Sequence, residues 1–301
     1  MNLLKPHSIW QGERLFILLM LAPAMALLFA FTIAPFAISV WLSFTDYLLS
    51  RPPARFIGLS NYIQLFTSAA FWSAFWISVL FTTLTTLVET VIGVAIATLL
   101  VGARRTGGFL RTIYMLPLAV TPIAIIFTFR MMFNPGLGII NYLFRLIGLP
   151  PQDWLGDSTM AMISLVTVDV WQWTPLTLLI VAGGLAALPT EPLEAARIDG
   201  ATGWQSFRYV TLPMLMPFVA LAVLFRAVDA FKTFDLIYVL TGGGPGTSTT
   251  TLNVMAFKQA IEFTELGRGS ATAIIVMIII TLASQFFLRR SKLLTVPEVG
   301  A

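Results

Sequence analysis

Formal charge is missing from this chain in long blocks, and the blocks have the length of a lipid bilayer. No Asp, Glu, Lys or Arg occurs at 15–45, 112–129, 209–225 or 269–288, while 56–103 holds only Glu89 and 158–190 only Asp169. The hydrocarbon core of a bilayer is about 30 Å thick and a helix rises about 1.5 Å per residue, so a span takes about 20 mostly apolar residues. Only 11% of the chain is charged and its mean hydropathy is +0.87, against about 25% charged residues in a soluble domain. The pattern predicts an all-α polytopic membrane protein. Six transmembrane helices are expected, at about 15–44, 71–101, 110–132, 158–187, 209–235 and 268–289. They form one domain over 15–290, with tails at 1–14 and 291–301.

Lys5 and Arg14 before the first run, with Ala24-Met25-Ala26 inside it, have the outline of a signal peptide. The apolar stretch is too long for the usual h-region of about 7–15 residues, so a retained helix is expected. Lys and Arg collect on the cytoplasmic side of membrane proteins. With the N-terminus inside, ten of them fall on inner segments (Lys5, Arg14, Arg104, Arg105, Arg111, Arg197, Arg208, Arg289, Arg290, Lys292) and six on outer ones, with Lys232 unassigned. Both termini are therefore expected in the cytoplasm.

The remaining composition is restrictive. There is no cysteine and the single histidine is His7 in the N-terminal tail, which excludes disulfides, thiolate sites and multi-His metal sites. Basic residues are scattered between apolar runs, against nucleic-acid binding. The run Gly242-Gly243-Gly244-Pro245-Gly246 reads as a mobile turn-rich loop, not a phosphate cradle, because no Gly-Lys-Ser/Thr follows it. Energy for any transport must come from a gradient or from another subunit. At 139–147, Ile139, Ile140, Leu143, Phe144 and Ile147 recur at helical spacing, as in a short interfacial helix.

Between the fourth and fifth runs lies an unusual loop, 188–213. Pro192 suits a first helical turn capped by Thr190 or Glu191. Leu193, Ala196 and Gly200 then fall on one face, and Gly200 and Gly203 permit a sharp bend. Beyond it, Trp204, Phe207 and Thr211 continue towards Leu212-Pro213. Two readings fit: an interfacial linker helix, or a docking element whose Ala and Gly residues let a partner backbone come close while Glu194 and Asp199 offer polar contacts.

Glu194-Ala195-Ala196, then Gly200, then Val210-Thr211-Leu212-Pro213 resembles the EAA loop of permease subunits in binding-protein-dependent ABC importers, with Val210 where that pattern has Ile. Phe56 to Tyr62, Arg111 to Pro117, and the run from Phe225 through Asp229 to Gly244 resemble the sugar-uptake, maltose permease-like branch. The resemblance covers roughly 10–290. It implies a bacterial inner-membrane subunit that pairs with a second homologous permease, two ATPase subunits and a periplasmic binding protein. ATP and Mg would be held by the ATPase subunits, with no cofactor and no bond chemistry on this chain. Glu194, Ala195, Ala196, Asp199 and Gly200 would sit at the ATPase contact. With only 45–70 between the first two spans, a large outer domain like that of the maltose permease is not expected.

Charged residues at membrane depth are costly and face a cavity or a partner. Glu89 suits a hydrogen bond to another helix. Asp169, Gln172 and Trp173 share one helical face, with acceptor, amide and ring disposed for a polyhydroxylated ligand, although Trp171 and Trp173 also suit an interfacial belt. Arg226, Asp229, Lys232 and Asp235 recur every three residues with alternating sign. They read either as a self-neutralising ladder or, through Arg226 and Asp229, as the lining of a cavity or gate. The competing functional class is a gradient-driven secondary transporter or channel using Glu89 and Asp169 as ion sites. That class often shows repeated halves, and it assigns the 188–213 loop no role.

Overall fold

Proline and helix-breaking turns decide where the apolar runs become separate helices. In the computed structural model, which describes residues 7–51, 53–102 and 107–291, the order is as follows. Helix α1 (His7–Leu28) passes through a π turn (Phe29–Ile33) into α2 (Ala34–Ser43), followed by α3 (Ser60–Thr67), α4 (Ala69–Gly102), α5 (Gly107–Ala119), α6 (Pro122–Met132) and α7 (Ile139–Leu146). Next come α8 (Ser158–Ala187), α9 (Glu191–Ile198) and α10 (Gly203–Ser206), which continues through a π turn (Phe207–Thr211) into α11 (Leu212–Lys232). Then α12 (Asp235–Thr241), α13 (Leu252–Phe257) with a π turn (Lys258–Glu262), and α14 (Leu266–Arg290) complete the chain. There is no strand among the described residues, only the isolated bridges Thr45–Phe56 and Leu48–Arg51. Lys5, Arg104, Arg105 and Lys292, which carry part of the orientation argument, lie outside the described residues.

Two of the π turns end two residues before Pro35 and Pro213. A proline lacks the N–H for the helical ladder and its ring presses on the carbonyl four residues back, here Phe31 and Tyr209. A widened turn at that carbonyl lets the helix continue. By length and composition five helical segments among the described residues can cross a membrane: Phe16–Ser43, Ala69–Leu100, Ser158–Ala187, Gly203–Lys232 and Leu266–Arg290. A sixth requires Thr112–Ala119 and Pro122–Met132 to count together, and these are bent by 98°. The span expected at about 110–132 is thus made of two helices. Thr121, immediately before Pro122, is pushed out of the helical region (φ −58°, ψ 125°). The expected span 209–235 is shifted as well: the helix begins at Gly203 and stops at Lys232, because Thr233 (φ −55°, ψ 124°) leaves the helical region and Asp235 opens α12.

The described chain divides into two units. One runs up to Leu65 and takes in Ala256–Ile274. There Asn61 donates from Nδ2 to the carbonyls of Ser43 and Thr45, both at 2.9 Å, and the Tyr62 hydroxyl donates to Ser43 Oγ at 2.7 Å. Those two residues of the Phe56–Tyr62 segment thus close the end of α2. No residue in the most apolar part of Phe16–Ser43 is buried, as expected of a helix whose surroundings are lipid or other chains.

The other unit holds Phe66–Met255 and the chain from Ile275. Here α4, α8 and α11 pack together around two apolar layers. One contains Phe81, Leu165, Val168, Ala230 and Ile237; the other contains Ala97, Leu178, Val181, Leu215 and Val219. Close approach of α4 and α8 depends on Gly93, where a Cβ would lie 2.7 Å from Thr177 Cγ2. Between the layers lies a band of charge.

Candidate functional site

The charged band is built from one residue of α4, one of α8 and two of α11. Arg226 is completely buried, and so are Glu89 and, at 1% exposure, Asp169. The guanidinium donates from Nε and Nη2 to the two carboxylate oxygens of Glu89, the latter at 2.9 Å; Nη2 also reaches Asp169 Oδ2 at 2.8 Å, and Nη1 reaches Asp229 Oδ2 at 2.8 Å. Its Cζ stands 5.1 Å from the ring centroid of Trp173. Counting from Pro213 at about 1.5 Å per residue, Arg226 is about 20 Å along the helix, at a depth where a lone charge is expensive. A planar fork with five donors is the side chain that can satisfy three carboxylates at once. With formal charges of three minus and one plus, the cluster carries an excess of acceptors.

That geometry revises the expected ladder. Arg226 and Asp229 do pair along α11, but Arg226 turns inward to two other helices. Lys232 makes no ion pair among the described residues, and the break at Thr233 puts Asp235 on a different helix. Glu89 does bond to another helix, through an arginine 137 positions away in sequence. Asp169, Gln172 and Trp173 do share one side of α8. Asp169 is taken by Arg226, whereas the amide of Gln172, itself 4% exposed, has no side-chain hydrogen bond among the described residues. All three line a cavity of about 260 Å³ that also contains Asp229, Lys232 and Asp235. Asp229, with its side chain 44% exposed, belongs both to the cluster and to the cavity wall. Trp171, 46% exposed, packs edge-on against Phe129 away from it.

The other candidate set is on α9. No residue of this helix is buried: Leu193 and Ala196 are half-covered, and Glu194, Ala195 and Ile198 are exposed. The helix stops at Ile198, so Gly200 does not continue the Leu193–Ala196 face. Instead it has φ +76°, with its N–H bonded to Arg197 O (3.1 Å) and the Ala201 N–H bonded to Ala196 O (3.0 Å). This paired C-terminal closure takes a left-handed residue, which glycine adopts without a Cβ penalty. Nothing lies within 4 Å of a Cβ placed there, so the conformation, not crowding, calls for glycine. Thr202 then caps α10 in a reciprocal box with Gln205. Ile198, Trp204 and Tyr209 stand 86%, 70% and 74% exposed around this bend, an apolar rim beside Glu194 and Asp199.

Two features were not anticipated. Asn141 on α7 is completely buried: it donates to Pro135 O and Gln152 O and accepts from Gln152 N and Trp154 Nε1, at 2.8–3.0 Å. Helix α7 is thereby pinned to its flanking loops. The 242–246 loop, expected to be mobile, is tied down by Thr249 Oγ1 to Gly244 O (2.7 Å) and Thr250 Oγ1 to Gly243 O (2.8 Å).

A multi-pass helical protein with a buried ionic centre and, between two of its spans, a helix with no buried residue has the build of an importer permease. The fold matches a chain in the crystal structure of a bacterial alginate ABC transporter in complex with an alginate pentasaccharide-bound periplasmic protein, with a TM-score of 0.80 over 98% of this chain and 99% of that one at 20% identity. Residues 89–291 match the family described as binding-protein-dependent transport system inner membrane component. The trehalose/maltose transport system permease protein MalF of Thermococcus litoralis is 34% identical, with 87% of this chain and 88% of that protein covered. The sulfoquinovosyl glycerol transport system permease protein SmoG of Agrobacterium fabrum is 33% identical over 92% of this chain and 91% of its own length. The chain belongs to the binding-protein-dependent transport system inner membrane component family, among the sugar ABC transporter permeases.

Proposed function

We propose that this chain is the permease subunit of an ATP-driven importer that moves a carbohydrate (a sugar, polyol or sugar–glycerol) across the bacterial inner membrane by alternating access. Both termini lie in the cytoplasm. Its partners are a second homologous permease, two ATPase subunits that hold ATP and Mg, and a periplasmic binding protein; the chain itself needs no cofactor. The observation that carries this reading is α9, a helix with none of its residues buried, which carries Glu194, Ala195 and Ala196, is followed by Asp199 at its C-cap and closes at Gly200. A short helix of this kind gains almost nothing from burial in its own chain, so a partner surface supplies the reason for it.

Motion reaches the membrane through covalent structure. The bend after α9 leads into the helical path Gly203–Lys232, so displacement of α9 by an ATPase subunit tilts α11. Arg226 on α11 holds Glu89 of α4 and Asp169 of α8, so the three helices answer together. Asp169, Gln172, Trp173 and Asp229 face the sugar path, where carboxylates accept from hydroxyls and the ring packs on C–H faces. Arg226 and Glu89 set those groups in place from behind.

A test uses the assembled transporter in proteoliposomes. Gly200→Trp should leave the complex inserted yet abolish substrate-stimulated ATP hydrolysis. Normal transport by that variant would remove the assignment of α9.

A further inference from the structure

The cavity beside the ionic cluster has a definite electrical character. Four of the five guanidinium N–H donors of Arg226 are already directed at carboxylates, so the one buried cation has little left to offer a ligand. The wall itself shows Asp169, Asp229 and Asp235 against Lys232, and Glu89 and Arg226 behind it cancel formally. Counted at formal charge, the balance is two negative charges in excess. Independently of the acids, Gln172 points to a ligand: the residue is 96% buried, and its amide lines the cavity with no side-chain hydrogen bond among the described residues, so it can both donate and accept there. The Trp173 ring, engaged on one side by Arg226, completes a surface of acceptors, one amide and an aromatic plane.

We infer that this cavity selects neutral polyhydroxylated ligands and rejects sugars that carry a carboxylate, sulfonate or phosphate. The inference rests on the proposed function and adds the charge class of the substrate. Hydroxyl groups donate to carboxylates and match an acceptor-rich wall. An anionic sugar places like charge beside Asp229 and Asp235, the half-exposed and exposed acids of the wall, and loses affinity to that repulsion. Lys232 does not reverse the balance, because Asp229 and Asp235 line the same cavity.

The test measures direct binding to the assembled transporter in detergent without its binding protein, so that only the permease contributes selectivity. The probes are maltose, trehalose and a glycerol glucoside, each compared with its C6-oxidised uronate. For the neutral form the expected affinity is at least about tenfold tighter. Asp235→Asn should narrow that ratio by improving the uronate, and Gln172→Leu should weaken the neutral sugars. Equal or tighter binding of the uronates, with Gln172→Leu still harmful, overturns the charge inference alone. Should no probe bind, or should Gln172→Leu change no affinity, the sugar-path assignment fails and this inference with it.

Discussion

Removing Arg226 is the most informative perturbation of this fold. The side chain is fully buried, supplies four charge-assisted hydrogen bonds and, among the described residues, is the sole cation paired with three carboxylates, two of them also buried. Arg226→Gln leaves those two acids without a countercharge between apolar layers. Breaking a buried ion pair by deleting one partner costs about 3–5 kcal/mol, which at about 2–4 °C per kcal/mol is a fall in Tm of about 6–20 °C. The loss is one of unbalanced charge, so the triple variant Arg226→Met, Glu89→Gln, Asp169→Asn should regain at least half of it. Asp229, 44% exposed, is screened by water. Asp229→Asn should therefore cost no more than about 1 kcal/mol. The assay is thermal unfolding of the purified complex in detergent, followed by tryptophan fluorescence. A Tm for Arg226→Gln within 2 °C of wild type, or a triple variant no better than the single one, would refute the reasoning.

Three further outcomes are expected. Asp229→Ala should lower sugar uptake severalfold while the ATPase subunits still co-purify; loss of assembly instead would make the residue purely structural. Gly93→Leu forces a side chain into Thr177 and should destabilise the α4–α8 contact by about 1–3 kcal/mol, read as a lower melting temperature with uptake falling in proportion. Asn141→Leu strips partners from Gln152 N and Trp154 Nε1, at about 1–3 kcal/mol for each buried group left unsatisfied. Hydrogen exchange should then quicken over 135–157 and nowhere else.

Charge-free runs located the membrane-length helices because lipid leaves few alternatives, and they were blind to what happens inside a run. Nothing in the hydropathy of 110–132 distinguishes a straight span from two helices at 98°; Pro122 was the local signal. The letters of the 188–213 loop were legible, and the role of Gly200 was only half so. Its left-handed conformation ends the helix, whereas reading the face forward from Leu193 and Ala196 assumed that the helix went on. Glu89, Asp169 and Arg226 each stood out as costly at depth. Their meeting was hidden because periodicity describes one helix at a time and the partners sit 57 and 137 positions apart. Electroneutrality was the available clue: two lone acids and one arginine in apolar runs need each other. Asn141 offered no such clue, since a single amide in an amphipathic helix looks like any surface residue until its four bonds are seen.

Uptake of a labelled neutral disaccharide into proteoliposomes containing the two permeases measures the central claim directly, with ATPase subunits, binding protein and internal ATP added or withheld. Accumulation should appear only with all of them present, and vanish for Gly200→Trp. Accumulation driven by an ion gradient in vesicles that lack the ATPase subunits would contradict the account.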